Sequence, residues 1–225
     1  MCNLIRQTGP KIKPVLLDIA PCPFLEGTDW QPSDWMVAQT FPYLPVIYRN
    51  HDTERPSVQL AQWGLIPHWL KEHDKANQFR NWNLIARGET MFEKPSFRGP
   101  AKYHRCIIPV SSFVEWQHRP GEAKAFPHAI TYTNSDITFL GGLWEDWGTT
   151  TTCCIVTVAA NSFVKTIHNG GKNPFRQPVI LTPPDFARWL SASTNAKIAD
   201  LLIPSDSLPL SAIEIFRPAS PLEPK

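Results

Sequence analysis

The first residues of the chain, Met1, Cys2 and Asn3, put a thiol where the amino terminus would lie once the initiator methionine is removed. Methionine is normally trimmed before a residue as small as cysteine, and trimming would leave one residue with both a free α-amine and a thiol. The amine titrates near about pH 8 and the thiol near about 8.5, so both are partly available as nucleophiles at neutral pH. Such a 1,2-aminothiol condenses with an aldehyde, first through nitrogen as a Schiff base and then through sulfur as a thiazolidine. The commoner interpretation of a lone cysteine is a small buried hydrophobe, and the rest of the chain must decide.

Two later residues, Glu115 and His168, could move protons in such a reaction. Glu115 lies between Val114 and Trp116 in a predicted strand, where it either faces water or points inward with a raised pKa. Taken alone, the strand pattern favours the exposed position. His168 follows a predicted helix, where a histidine more often interacts with the helix dipole than with a substrate.

Basic and aromatic residues alternate between Trp63 and Arg105. This segment has eight Lys or Arg against four acids and includes six Trp and Phe residues, whereas the whole chain carries a net charge of only +2. Cations that follow phosphates and rings that stack on bases suit single-stranded nucleic acid. A solvated basic face over ordinary core aromatics explains the segment equally well.

The composition indicates a mainly β protein with short elements. The chain has 225 residues, 42% hydrophobic, with 23 Pro and 11 Gly, which favours short strands joined by rigid loops. Strands are predicted at 44–48, 57–61, 105–109, 113–116, 126–132, 137–140, 152–159 and 179–181, and helices at 161–167 and 183–190. Residues 11–35 are predicted to be irregular with a short helical turn at 15–19, residues 83–90 to begin extended and turn into a helix near Thr90, and Trp144 and Trp147 to lie in a connection. We expect a twisted antiparallel sheet, closed or half closed, with helices on its flank.

Several classes are excluded by what the sequence lacks. The five cysteines have no C-x-x-C spacing, which argues against a disulfide framework and a structural zinc site, and the adjacent Cys153 and Cys154 are predicted to fill the core. No apolar run reaches the length of a membrane span, and charged residues interrupt any signal peptide. We expect a soluble cytoplasmic protein, associated with the nucleoid if it is bacterial.

Five blocks of the sequence stand out together: MC (1–2), WGLIPHW (63–69), ARGET with KPSFR (86–90 and 94–98), RCIIP with FVEW (105–109 and 113–116), and IH with RQPVIL (167–168 and 176–181). In this order they resemble the SRAP family (SOS response-associated peptidase), whose members shield abasic sites in single-stranded DNA. The resemblance implies an α+β fold with a distorted antiparallel β-barrel and flanking short helices. It implies one SRAP domain over residues 1–218, followed by a flexible tail at 219–225.

The resemblance also assigns roles to individual residues. It implies Cys2, Glu115 and His168 as catalytic residues and implies contacts to DNA by Asn3, Trp69, Asn83, Arg87, Trp116, Thr157 and Arg176. Trp69 matches one of two bulky positions that wedge against bases, and Leu70 occupies the second. The family's usual sugar-contacting Asn is Ile85 here, which leaves Asn83 as a substitute if it shares that strand face; Leu4, Met36 and Gln177 also depart from the pattern.

The function implied is recognition of an abasic site in single-stranded DNA and formation of a thiazolidine crosslink through Cys2 during the DNA damage or SOS response. AP-lyase and autopeptidase-type activities come with the resemblance, and no metal, cofactor or membrane is expected, with a monomer as the working state. Two alternatives stay open: an N-terminal-nucleophile cysteine hydrolase, and a single-stranded DNA-binding protein without catalysis.

Overall fold

A computed structural model describes residues 2–25, 30–192 and 194–216 of the chain. The described residues form the following strands: β1 (Leu4–Gln7), β2 (Ser33–Val37), β3 (Tyr43–Arg49), β4 (Pro56–Trp63), β5 (Ile85–Arg87), β6 (Arg105–Val110), β7 (Ser112–His118), β8 (Ala125–Tyr132), β9 (Thr138–Trp147), β10 (Thr150–Ala159), β11 (Arg176–Pro178), β12 (Ile180–Leu181) and β13 (Leu210–Glu214). The α-helices are α1 (Gly9–Ile19), α2 (Ala76–Trp82), α3 (Arg98–Tyr103), α4 (Ser162–Ile167) and α5 (Phe186–Ser191). Single 3₁₀ turns lie at Pro23–Leu25, Ala38–Thr40, His73–Lys75, Pro183–Asp185, Asn195–Ile198 and Asp200–Leu202.

Five strands close into a barrel in the order β10, β4, β3, β6, β9 and back to β10. Most neighbours are antiparallel, but β10 pairs in parallel with β4 and, farther along, with β5. The barrel and its flanking short helices confirm the predicted α+β fold. The parallel pairs were not predicted, because strand patterns in a sequence do not reveal the direction of a partner.

A second sheet, ordered β13, β8, β7, β1, β2, carries the amino-terminal end of the chain. β1 runs antiparallel to β7 with Ile5 opposite Phe113 and Arg6 opposite Ser112. Extended by two residues, this register brings Asn3 alongside Glu115. The backbone N–H of Ala38 donates to the Asn3 carbonyl at 2.9 Å, which fixes the other side of the same segment. The start of the chain is therefore held next to Glu115.

A buried cation joins the helices to the barrel. Arg105 on β6 is almost fully buried, and its guanidinium donates to the carbonyl oxygens of Ala101, Trp189 and Ala192. Burial lowers the pKa of Arg105 to about 10, so the group stays charged at neutral pH. Because helix ends leave carbonyl groups without intrahelical partners, one guanidinium can satisfy the ends of both α3 and α5.

Three local predictions were wrong. Residues 9–19 form a full helix, although Pro14 lies inside it, because Ile12 and Leu16 share one fully buried face whose packing outweighs the proline. Residues after Thr90 form turns, and the next helix begins only at Arg98. Trp144 and Trp147 lie within β9, which is longer than predicted.

Other predictions were confirmed or lie outside the described residues. The 44–48 and 57–61 hairpin, the strands on either side of Ser111 and the helix ending before His168 are present. All five cysteines are buried, and Cys153 and Cys154 lie in the core as predicted. The tail at 219–225 lies outside the described residues. No helix within 2–25, 30–192 or 194–216 has the length and apolar character needed to cross a bilayer.

Candidate active site and nucleic-acid interface

Glu115 and His168 meet where β7 passes the end of α4. Glu115 lies in the middle of β7, and His168 is the residue that ends α4, with its backbone N–H bonded to the Val164 carbonyl. Asn161 caps the other end of that short helix by accepting a hydrogen bond from the Val164 N–H at 2.8 Å. The Nδ1 atom of His168 lies 3.6 Å from Oε2 of Glu115. Two elements that are distant in the sequence thus bring an acid and an imidazole together.

The backbone of Arg176 holds the ring of His168 in place. The Nδ1 atom of His168 lies 2.7 Å from the Arg176 carbonyl oxygen and 3.3 Å from the Arg176 backbone nitrogen. Burial lowers the pKa of His168 below its ordinary value, which favours the neutral ring at pH 7. A neutral imidazole has one unprotonated ring nitrogen, so His168 is suited to accept a proton.

Glu115 is buried, which reverses the exposed position that the strand pattern favoured. Only 1% of the residue is accessible, because β7 lies between β8 and β1 in the sheet and α4 packs against it. Burial raises its pKa to about 8, so at pH 7 the carboxyl group is mostly protonated. A neutral imidazole beside a protonated carboxyl group is a pair that can exchange protons near neutral pH and does not form an ion pair there.

Cys2 is fully buried and lies near Glu115. Burial raises the pKa of its thiol well above the ordinary value, and the nearby Glu115 raises it further. The sequence predicted a thiol that is partly ionised at neutral pH, and the structure corrects this. A thiol in this environment reacts only after a base has taken its proton.

Glu115 and His168 line a cleft of about 320 Å³. Its lining consists of Asn3, Glu115, Trp116, His118, His168, Gly170, Gly171, Lys172 and Asn173. Asn3 and Trp116 are two of the predicted DNA-contacting residues, and both also line a second, larger groove of about 680 Å³ that continues beyond them. Cys2 has no accessible surface and lines neither cleft.

The glycine-rich loop over the cleft is fixed to the end of β7. The Asn169 side chain accepts from the His118 N–H at 2.7 Å and donates to the His118 carbonyl at 2.9 Å. Gly170 packs so closely on the imidazole of His118 that an added Cβ would lie 2.3 Å from its Cδ2 atom. The close approach explains the glycine at this position and holds the loop against His118.

The two predicted phosphate-binding arginines differ in how strongly protein groups hold them. Arg176 donates to both carboxylate oxygens of Glu89, at 2.5 and 2.8 Å, and to the Thr157 carbonyl at 2.8 Å. Arg87 is exposed and donates to the side-chain oxygen of Asn173 at 2.9 Å. β10 positions both, because Thr157 pairs with Arg87 on one side and Ala159 pairs with Arg176 on the other.

The aromatic residues of the basic segment divide between core and surface. Trp63 is fully buried, whereas Trp69 and Trp82 are 43% and 63% exposed and contact the ring of Phe79 from either side at 5.6 and 5.4 Å. Leu70, assigned to the second wedge position, is only 3% exposed, so that assignment is wrong in this fold. Trp82 instead presents the second large exposed ring.

Asn83 does not take the place of the missing asparagine in the cleft. It ends α2, is buried, and its amide donates to the Leu65 carbonyl at 3.0 Å. Ile85, two residues later, pairs with Ile155 of β10 and packs on the core. The amide groups that line the cleft belong to Asn3 and Asn173. Among residues 2–25, 30–192 and 194–216, no group of three or more His, Cys, Asp or Glu side chains is arranged to hold a metal ion.

Comparison with known proteins identifies the family of this chain. Residues 22–217 match the SOS response associated peptidase (SRAP) family. The chain belongs to the SRAP family. This SRAP chain is similar to the abasic site processing protein YoaM of Bacillus subtilis, with 33% identity over 199 residues that cover 85% of this chain and 81% of that protein. It is also similar to the abasic site processing protein HMCES of Gallus gallus, with 25% identity over 76% of this chain and 56% of that protein.

The SRAP fold is also present in solved structures. A crystal structure of a protein from Bacteroides thetaiotaomicron superimposes with a TM-score of 0.84 and 31% identity, covering 96% of this chain and 92% of that one. A second, from Bordetella bronchiseptica, has a TM-score of 0.74 at 23% identity and covers 96% and 100% of the two chains. The second likeness concerns the fold alone.

Sequence reasoning missed several residues of this SRAP cleft. His118, Lys172 and Asn173 line it, and Glu89 holds Arg176. The run Asn169 to Asn173 has the glycine and amide content of a loop that approaches a ligand, which is the signal that could have found it. Nothing in the sequence indicates that Glu89 pairs with Arg176, because the two residues meet only through β10.

Proposed function

We propose that this SRAP protein binds single-stranded DNA at an abasic site and joins itself to the sugar through Cys2, after removal of Met1. The observation that carries the proposal is that Glu115 and His168 lie 3.6 Å apart, with Cys2 buried near Glu115. The names of its relatives, abasic site processing proteins from a bacterium and an animal, support the same lesion as the target.

The first chemical step releases the aldehyde from the closed sugar. Ring opening moves a proton from the anomeric hydroxyl group to the ring oxygen. Glu115 is protonated at neutral pH because burial raises its pKa to about 8, so it can donate the proton to the ring oxygen. His168, neutral because burial lowers its pKa, takes the proton from the hydroxyl group.

The second step forms two bonds to the aldehyde carbon. The Cys2 amine attacks C1′, and water leaves as the C=N bond forms. The sulfur then attacks the same carbon, the electron pair of the C=N bond returns to nitrogen, and nitrogen gains a proton. Because burial keeps the Cys2 thiol protonated, a base must first take its proton. Glu115, ionised after the first step and close enough to raise the thiol pKa, is that base.

Arg87 and Arg176 hold the DNA backbone near the cleft in this proposal. Arg87 is exposed and tied to one neutral partner, so a phosphate can displace Asn173 at little cost. Arg176 must release Glu89, or bind Glu89 and the phosphate together, so its contact with a phosphate is weaker. Trp69 and Trp82 provide exposed rings for stacking on bases.

The test measures covalent attachment to a single-stranded oligonucleotide that contains one abasic site. The wild-type protein should give a shifted band on a denaturing gel, and Cys2→Ala should give none. Glu115→Gln and His168→Gln should still attach, at rates lower by about 100-fold or more, as expected when a general acid or base is lost. Attachment that persists in Cys2→Ala would disprove the proposal.

Two measurements separate this function from its rivals. Intact mass spectrometry should show loss of Met1, because a retained Met1 blocks the amine of Cys2. Hydrolysis of peptide amides without DNA would favour a cysteine hydrolase, and tight binding of DNA without attachment would favour a non-catalytic binding protein. An oligonucleotide with a reduced abasic sugar, which has no aldehyde, is the matched substrate control.

A further inference from the structure

A small pocket beside Trp69 is separate from the catalytic cleft. It has a volume of about 160 Å³ and is lined by Pro67, His68, Trp69, Pro95, Ser96, Arg98, Gly99, Pro100 and Glu145. None of these residues lines the cleft around Glu115 and His168. Pockets for drug-sized ligands measure roughly 300–1,000 Å³, so this one suits a single planar group.

The floor of the pocket is a buried carboxylate in a fixed orientation. The Glu145 side chain is 6% exposed, and its two oxygens lie 2.9 Å from Nδ1 of His68 and 3.2 Å from Nδ1 of His104. A carboxylate only accepts, so both ring nitrogens donate, and each oxygen keeps a lone pair. His104 in turn stacks on Trp144 with ring centres 4.4 Å apart, which holds the group from behind.

Glu145 is ionised at neutral pH, unlike Glu115. Burial raises its pKa, but the hydrogen bonds from His104 and His68 outweigh burial, and the pKa is lowered overall. The fold therefore places a negatively charged acceptor of hydrogen bonds in a pocket whose other lining residues include three prolines and Trp69. Buried charges of this kind select ligands by the donors they present.

The walls indicate a flat aromatic ligand. The Trp69 indole is held by its Nε1–H, which donates to the Pro95 carbonyl at 3.4 Å, and three prolines make the pocket rigid. Arg98 on the rim disfavours a lysine or arginine side chain as the occupant, because like charges repel. A neutral ring with N–H groups on one edge avoids that repulsion and still satisfies Glu145.

We propose that this pocket binds the base of a nucleotide near the abasic site and prefers guanine. Guanine presents two adjacent donors, N1–H and the exocyclic N2–H, which match the two oxygens of Glu145. Adenine and cytosine place an acceptor beside their single amino group, and thymine places carbonyl groups on both sides of its one N–H. Trp69 stacks on the ring, and Arg98 contacts a phosphate. The identity of the occupant rests on the proposed function, since the strand that reaches the cleft supplies the base.

Nucleotide binding tests the pocket without any covalent chemistry. In the ¹⁵N-labelled protein, the indole N–H signal of Trp69, assigned with Trp69→Phe, should shift on addition of dGMP. The affinity for dGMP should exceed that for dAMP, dCMP and TMP by about tenfold, as for other paired hydrogen bonds to a base. Deoxyinosine monophosphate, which lacks the N2 amino group, should bind with intermediate affinity, and 7-deaza-dGMP should bind like dGMP. Equal shifts with all four nucleotides, or none, would overturn the proposal.

Two variants test the contributions of Glu145 and Arg98 separately. Glu145→Gln should abolish the preference for guanine, and Arg98→Ala, an exposed position, should weaken all four nucleotides alike and leave the preference intact. Guanine preference in Arg98→Ala then supports the pocket even if Glu145→Gln is poorly folded. Cys2→Ala should bind dGMP normally. A loss of crosslinking with intact dGMP binding would reject the proposed function alone, whereas crosslinking without nucleotide preference would reject only the pocket.

Discussion

Glu115 is a buried carboxyl group, and its replacement by glutamine should change the dependence of stability on pH. The folded protein holds its pKa at about 8, whereas the ordinary value is 4.5. Above the unfolded pKa, the unfolded chain releases this proton while the folded protein keeps it. The raised pKa therefore stabilises the fold fully below about pH 4.5, and that stability is lost as the pH rises toward 8.

The magnitude follows from the size of the shift. Each pKa unit corresponds to about 1.4 kcal/mol, so the wild-type protein should lose roughly 3 to 4 kcal/mol of unfolding free energy between about pH 5 and pH 8 because of this one group. Glu115→Gln keeps the shape of the side chain and cannot ionise. Its stability should therefore fall much less over that range, and near pH 8 it should be the more stable protein.

The assay is urea unfolding, followed by tryptophan fluorescence, at a series of pH values for both proteins. Glu145→Gln is the matched control, because Glu145 is also buried but has a lowered pKa. Its contribution is present above the unfolded pKa and is lost as the pH falls through the folded value, so the control should flatten the acid side of the profile. Parallel profiles for wild type and Glu115→Gln would refute the assignment of Glu115 as a protonated acid at neutral pH.

Three further substitutions test the surroundings of the site. Glu89→Ala releases Arg176 to bind a phosphate, so the variant should bind single-stranded DNA more tightly, and the slope of log affinity against log salt should be steeper by about 0.7. Fluorescence anisotropy at several salt concentrations measures the affinity and the slope. An unchanged slope would contradict the release of Arg176. Asn161→Ala removes the cap of α4 and should cost about 1 kcal/mol in urea unfolding, together with slower crosslinking, and full retention of both would show that the cap is dispensable. Gly170→Ala should slow crosslinking, because its Cβ would lie 2.3 Å from the His118 imidazole, and a rate equal to that of the wild type would remove the loop from the mechanism.

Strand positions were predictable because β patterns are local. The hairpin at 44–48 and 57–61 and the strands around Ser111 follow from alternating apolar residues and nearby turn residues, and the structure contains them. The helix from Gly9 was missed because its prolines argue against it, and only the core into which Ile12 and Leu16 pack decides the outcome. Strand direction and barrel closure depend on pairings between distant residues, which no local pattern records.

The site residues were also predicted only in part from the sequence. Blocks of sequence around Glu115 and His168 identified them as candidates, but strand alternation alone placed Glu115 in water, and only the tertiary packing around β7 buries it. Leu70 occupies the expected position in the sequence and yet lies in the core, while Trp82 presents its ring to solvent.

The sequence by itself determined which chemical groups this protein has: an aminothiol once Met1 is removed, an acid, an imidazole and a set of arginines. Their protonation states were decided only by the tertiary structure, because pKa values depend on burial and on neighbours that are remote in the chain. Glu115 and Glu145 are both glutamates in strands flanked by aromatic residues. Burial dominates the pKa of Glu115, which holds its proton, whereas hydrogen bonds from two histidines lower the pKa of Glu145, which stays charged.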